Sequence, residues 1–206
     1  MKTQRLTGHQ KCTAAEKENN MNLLIVIDMQ NDFITGALGN AETKAVVPKV
    51  CELINKNLKE NDYKKIICTY DTHEENYLDT QEGKKLPVPH CIANTNGWRL
   101  DPAVQAAVCG YEVPILKDTF GGIFLPDEVK KLEMRLRLNS DKPEKIDTIT
   151  LCGVCTDICV ISNAMLLKAF FPEKNIQVAA DCCAGVTPES HERALEAMKM
   201  CQIDIV

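Results

Sequence analysis

Residues 146–160, IDTITLCGVCTDICV, run a strand almost directly into a helix. The segment IDTITLCG (146–153) is rich in β-branched and apolar residues, as a buried strand is. Asp157 to Phe170 reads as the helix that follows, with Thr156 as its N-cap. A strand passed straight to a helix is half of a βαβ unit. Working outward, the same alternation recurs. LLIVID (23–28) is a short apolar run ending in an acid. A helical pattern follows from about Glu42 to Asn61, with Val46, Val47, Val50, Leu53, Ile54 and Leu58 on one face. KKIICTYD (64–71) is the second strand, again ending in an acid. Residues 72–100 show no sustained period. Beyond them lie a short helix near 101–109, a strand EVPILK (112–117) and a helix from about Pro126 to Leu138. NIQVAAD (175–181) makes a fifth strand, HERALEAMKMC (191–201) a last helix, and the terminal DIV can add a sixth strand. This order predicts an α/β fold, a mostly parallel central sheet covered by helices on both faces.

Composition narrows the function classes. The chain has 206 residues, 45% apolar and 26% charged, with a net charge of -5. That describes an ordinary globular protein with no basic patch for nucleic acid or anionic lipid. LLIVI is far too short to span a bilayer. The first twenty residues lack the apolar stretch of a secretory signal and read as a disordered extension ahead of a domain at 21–206. Eleven cysteines without a signal peptide are expected to be mostly reduced, in a cytoplasmic setting, and several fall in apolar segments where cysteine packs as a small hydrophobe.

In parallel α/β sheets the site lies beyond the carboxyl ends of the strands. Here those ends carry Asp28, Asp71 with His73, Lys117, the cysteine turn and Asp181. The turn holds Cys152, Cys155 and Cys159, which can serve as metal ligands, a redox pair, buried thiols, or one nucleophile with two bystanders. A zinc site lacks its remaining ligands nearby. A redox C-x-x-C places its first cysteine at a helix start, whereas Cys152 lies in the strand. Cys159 falls in the first turns of the helix, where the dipole stabilises a thiolate and backbone N–H groups can bind an oxyanion. It still needs a base, which Asp28 can provide if the fold holds it close.

The segments IDMQNDF (27–33), D-T-H (71–73), P-H-C (89–91), LKDTFGG (116–122) and GVCTDICV (153–160) resemble the signature segments of the isochorismatase-like cysteine hydrolases, in the same order and at similar spacing. The resemblance implies a Rossmann-like three-layer α/β/α fold and a triad of Asp28, Lys117 and Cys159. It also implies a cis peptide between Val154 and Cys155, turning the N–H groups of Cys155 and Cys159 toward an oxyanion. Expected chemistry is hydrolysis of a small carboxamide through a thioester with release of ammonia.

Within that family the sequence is most similar to the nicotinamidase-like subgroup, which carries a metal beside the triad. Asp71 and His73 leave one strand end two residues apart, and His90 lies in the stiff loop PVPHC. By resemblance Glu82 completes the set, a shell suited to Zn²⁺, Mn²⁺ or Fe²⁺. Nicotinamide is the leading expected substrate, held in a pocket with Phe33. The family often places an aromatic residue shortly before the metal histidine. This chain instead has Leu86, Pro87, Val88 and Pro89, so Trp98 is the candidate to face the ring. Other small amides or ureides, and a non-catalytic binding module, are the alternatives. A homo-oligomer is expected, with no nucleic-acid or membrane partner.

Overall fold

A computed structural model describes residues 19–60, 64–139 and 144–206. Six strands form one sheet: β1 (Asn19–Ile27), β2 (Ile66–Asp71), β3 (Glu112–Lys117), β4 (Glu144–Val154), β5 (Asn175–Ala184) and β6 (Asp204–Ile205). Their order is β3-β2-β1-β4-β5-β6, and every neighbouring pair is parallel. The helices are α1 (Asn31–Ile34), α2 (Ala41–Glu60), α3 (Gln81–Lys85), α4 (Pro102–Val108), α5 (Leu125–Asn139), α6 (Ile161–Phe170) and α7 (Pro188–Met200). Helices α2 and α4 pack together as one outer layer, and α5, α6 and α7 as the other. This is the three-layer α/β/α arrangement expected.

Burial explains why the strands lie where they do. Leu23 to Ile27 of β1 and all of β2 are buried, as strands covered on both faces must be. Each such leucine or isoleucine contributes about 1.5–3 kcal/mol when removed from water. No helix among the described residues is long and apolar enough to cross a membrane.

The strand order reverses between β1 and β4, and a crevice at the carboxyl edge of such a sheet is where ligands bind. Gly153 lies beside that reversal with φ of 116°. A Cβ there would collide with the Ile27 carbonyl oxygen, so glycine is what lets β4 pass β1 so closely.

Several expectations change in detail. Of the expected extension, residues 1–18 lie outside the described residues, while Asn19 and Asn20 already pair with Glu144 and Lys145 in the sheet. Thr156 is not the N-cap. The chain after β4 makes one π-type turn over Thr156–Val160 before α6 begins, Cys155 occupies the cap position, and the Thr156 hydroxyl is bonded to His191 Nδ1 at 2.8 Å. Asp181 does not join the strand-end acids either. Strand β5 continues to Ala184 with a large register shift against β4, and Asp181 sits on the displaced stretch, with its side chain 95% exposed and 4.0 Å from Lys49.

Candidate active site and adjoining ligand cluster

Asp28, the first residue after β1, is wholly buried and has a left-handed backbone, φ 47°. Thr69, two residues before the end of β2, receives the Asp28 N–H at 3.2 Å and donates its hydroxyl to Asp28 Oδ1 at 2.6 Å. The other carboxylate oxygen, Oδ2, lies 2.7 Å from Lys117 Nζ. Lys117 ends β3 with its side chain 1% exposed, and its ammonium also reaches Asp71 Oδ1 at 3.0 Å and Cys159 Sγ at 3.6 Å. The strand ends therefore bring Asp28, Lys117 and Cys159 together. The peptide bond between Val154 and Cys155 is cis, at the head of the turn that carries the thiol.

Charges removed from water are tolerated only when paired, and this pairing decides the proton affinities. Burial raises Asp28 above the usual carboxylate range, while Lys117 pulls against that shift. Burial pushes the Cys159 thiol well above its usual value, and the Asp28 charge adds to the effect against the opposing Lys117. Burial alone would lower Lys117, but Asp28, Cys159 and Asp71 hold it well above the ordinary lysine value. At neutral pH the arrangement is a protonated thiol, an ammonium and two carboxyl groups.

Asp71 connects this group to a second one. Its Oδ2 lies 3.0 Å from His73 Nε2 and 3.4 Å from His90 Nε2. Glu82, in the first turn of α3, places Oε1 3.7 Å from His73 Nε2 and 3.9 Å from His90 Nε2. Ligand atoms of Asp71, His73 and His90 all fall within 4.8 Å of one another. The Val88 carbonyl holds His90 Nδ1 at 2.8 Å, leaving Nε2 turned toward the cluster, the arrangement usual for a metal-ligating imidazole. Two imidazole nitrogens and carboxylate oxygens at this spacing fit a first-row divalent ion.

The chain around the cluster is ordered by local bonds. His73 N–H donates to the Cys91 carbonyl, and the His73 carbonyl accepts from Ala93, so the two histidine segments run side by side. Phe33, on α1, lies edge-on to His90 with ring centres 5.5 Å apart. Trp98 is elsewhere. Its indole N–H donates to Thr72 Oγ1 at 2.9 Å and its ring packs on Tyr70. It does not line the cavity beside the cluster. That cavity, about 620 Å³, is bordered by His73, Glu82, Leu86, Thr119, Phe120 and Ile158 among others. A smaller one of about 180 Å³ shares Thr72, Asp118 and Thr119 with it and reaches Lys117.

Sequence reading missed three residues here. Thr69 carried a signal, since strand alternation puts it on the same face as Asp71. Tyr77 packs against both His73 and His90 from an aperiodic stretch that gave no sign of it. Phe120 stands in LKDTFGG (116–122), a pattern that does not by itself reveal its position at the cavity.

The isochorismatase domain matches residues 22–206, and the chain belongs to that family. It is 25% identical over 194 residues to the nicotinamidase/pyrazinamidase of Mycobacterium tuberculosis, covering 90% of this chain and 98% of that one. Among solved structures it is similar to the pyrazinamidase of Pyrococcus horikoshii in complex with zinc, at 32% identity and a TM-score of 0.70, over 90% of this chain and 98% of the other. The pyrazinamidase/nicotinamidase of Streptococcus mutans aligns at 25% identity and a TM-score of 0.73, over 90% and 99%.

Proposed function

We propose that this protein is a cysteine-dependent amidohydrolase that converts nicotinamide, or a closely similar ring carboxamide, to the acid and ammonia. The observation that carries the reading is the buried Lys117 ammonium held between Asp28, Asp71 and the Cys159 thiol. The relatives' nicotinamidase and pyrazinamidase activities support the same substrate class.

Asp28 accepts the Cys159 proton as sulfur attacks the carboxamide carbon. Backbone N–H groups of the cis-peptide turn, those of Cys155 and Cys159, receive the oxyanion, a donation that contributes about 3–4 kcal/mol per donor in comparable sites. Asp28 then passes its proton to the leaving nitrogen, ammonia departs, and a thioester remains. Water, deprotonated by Asp28, hydrolyses it and restores the thiol. Lys117 favours the anionic forms of Asp28 and Cys159 by proximity.

Asp71, His73, His90 and Glu82 would hold a divalent Zn, Mn or Fe ion, which when bound supplies a Lewis-acidic anchor for a ring nitrogen. Phe33 packs behind that anchor, and Phe120 rather than Trp98 borders the substrate's space. The ten described cysteines are all free thiols, which supports a cytoplasmic setting. Exposed Leu116, Ile123 and Phe124 support a homo-oligomer.

The test is direct. Purified protein supplied with a divalent metal should release ammonia from nicotinamide, and Cys159→Ala should release none. Absence of turnover on nicotinamide, pyrazinamide and a panel of small amides would overturn the reading.

A further inference from the structure

The loop from Asp118 to Phe124 joins β3 to α5 and contributes Asp118, Thr119 and Phe120 to the wall of the 620 Å³ cavity. Hydrophobic burial does not hold it, since Phe120, Ile123 and Phe124 are 47%, 62% and 65% exposed. Among the described residues, one side chain from outside the loop hydrogen-bonds to it. Asn163 lies one helical turn beyond Cys159 and is completely buried. Its Nδ2 donates to the Cys159 carbonyl at 2.8 Å and to the Phe120 carbonyl at 3.2 Å, and its Oδ1 accepts the Gly122 N–H at 2.8 Å.

Buried amides are costly unless their bonds are made, and a satisfied one is demanding about geometry. Here the Nδ2 end of the amide bridges the turn that carries the thiol and the loop that walls the cavity, and the Oδ1 end takes a second hold on that loop. Neither end contacts Asp28 or Lys117 among the bonds it makes. We propose that Asn163 is a positioning residue that sets the distance from Phe120 to Cys159, and thereby which group attached to the carboxamide is accepted. The proposal rests on the amidohydrolase reading above. It assigns Asn163 to substrate binding and not to bond making.

The two grips can be separated. In Asn163→Thr, the new hydroxyl can still bond the carbonyl one turn back, as such residues do inside helices. It is too short to reach Phe120 or Gly122. Asn163→Thr and Asn163→Ala should be compared with wild type for kcat and KM on nicotinamide and on acetamide. Alkylation of Cys159 by iodoacetamide and hydrogen exchange at the Gly122 amide complete the comparison. For Asn163→Thr, KM for nicotinamide should rise about tenfold while kcat stays within roughly threefold, the scale of one or two lost hydrogen bonds. The preference for nicotinamide over acetamide should shrink by a similar factor, alkylation should match wild type, and Gly122 should exchange faster. A folded Asn163→Thr with unchanged KM and unchanged exchange would overturn the proposal. So would a joint loss of kcat and alkylation, which would make Asn163 a support for the nucleophile alone. Should wild type hydrolyse no amide, the functional reading falls by itself. The exchange at Gly122 then still decides whether Asn163 fastens the loop.

Discussion

The Lys117 ammonium and the Asp71 carboxylate are in direct contact, Nζ to Oδ1 at 3.0 Å, while the second Asp71 oxygen faces His73 and His90. One carboxylate thus belongs to both halves of the site. Asp71→Asn should therefore disturb two measurements at once. Metal affinity should fall, on the order of 10–100-fold or more, and Cys159 alkylation should change rate because Lys117 loses a partner. His73→Ala should affect metal content alone. Metal analysis and alkylation kinetics on both variants check this, and alkylation unaffected in Asp71→Asn would break the link.

Lys117 is the ammonium that Asp28 and Asp71 share, 2.7 Å from one carboxylate and 3.0 Å from the other. Lys117→Met leaves two carboxyl groups buried together without it. Removing one partner of a buried ionic group costs about 3–5 kcal/mol, so the variant should be markedly less stable in urea unfolding as well as inactive. Stability within about 1 kcal/mol of wild type would contradict the pairing.

The cysteines should divide by role. Cys159→Ala should abolish turnover and keep the fold, because Lys117 and Asp28 serve that sulfur. Burial pushes the Cys155 thiol up to about 12 and raises Cys159 as well, so what separates the two is the Lys117 ammonium 3.6 Å from the Cys159 sulfur. Cys155→Ala should retain substantial activity, since its backbone N–H is what the mechanism uses. Asp28→Asn keeps the shape but cannot take the proton, and thioester formation should fall by roughly 10²–10⁴-fold. Single-turnover kinetics with acid quench would measure it.

Alkaline pH should loosen the fold. Cys68, Cys152 and Cys159 are each held by burial well above the ordinary 9.0, and Cys183 is pushed up to about 12. Their folded affinities exceed the unfolded ones, so this contribution is fully present below pH 9 and is lost as pH rises toward the folded values. Each group can weaken stability by up to about 1.4 kcal/mol per pH unit in that window. Calorimetry under reducing conditions from pH 7 to 10.5 should show Tm flat and then falling beyond pH 9. Cys152→Ala should make that fall shallower.

Much of this was legible because apolar strands announce where they end. Asp28, Asp71 and Lys117 end or follow such runs directly, Cys159 stands in the turn after one, and a parallel sheet delivers all strand ends to one edge. Asp181 follows one too, yet β5 continues past it and shifts register, which composition does not reveal. Thr156 looked like a cap because the partner that claims its hydroxyl, His191, stands on another helix. Asn163 and Tyr77 were invisible for a related reason. Their partners lie in irregular loops, where no periodicity tells which residues meet.

The reversal of strand order at β1 and β4 also governs when the chemistry can first exist. Ile25 pairs with Leu151 and Ile67, so the centre of the sheet joins distant stretches of chain. Such non-local pairing forms late and slowly compared with helices, because long loops must close first. No fragment lacking either half holds base, ammonium and thiol together. A refolding chain should thus gain helical circular dichroism before ammonia release returns. A nascent chain would stay catalytically silent until β4 has docked beside β1.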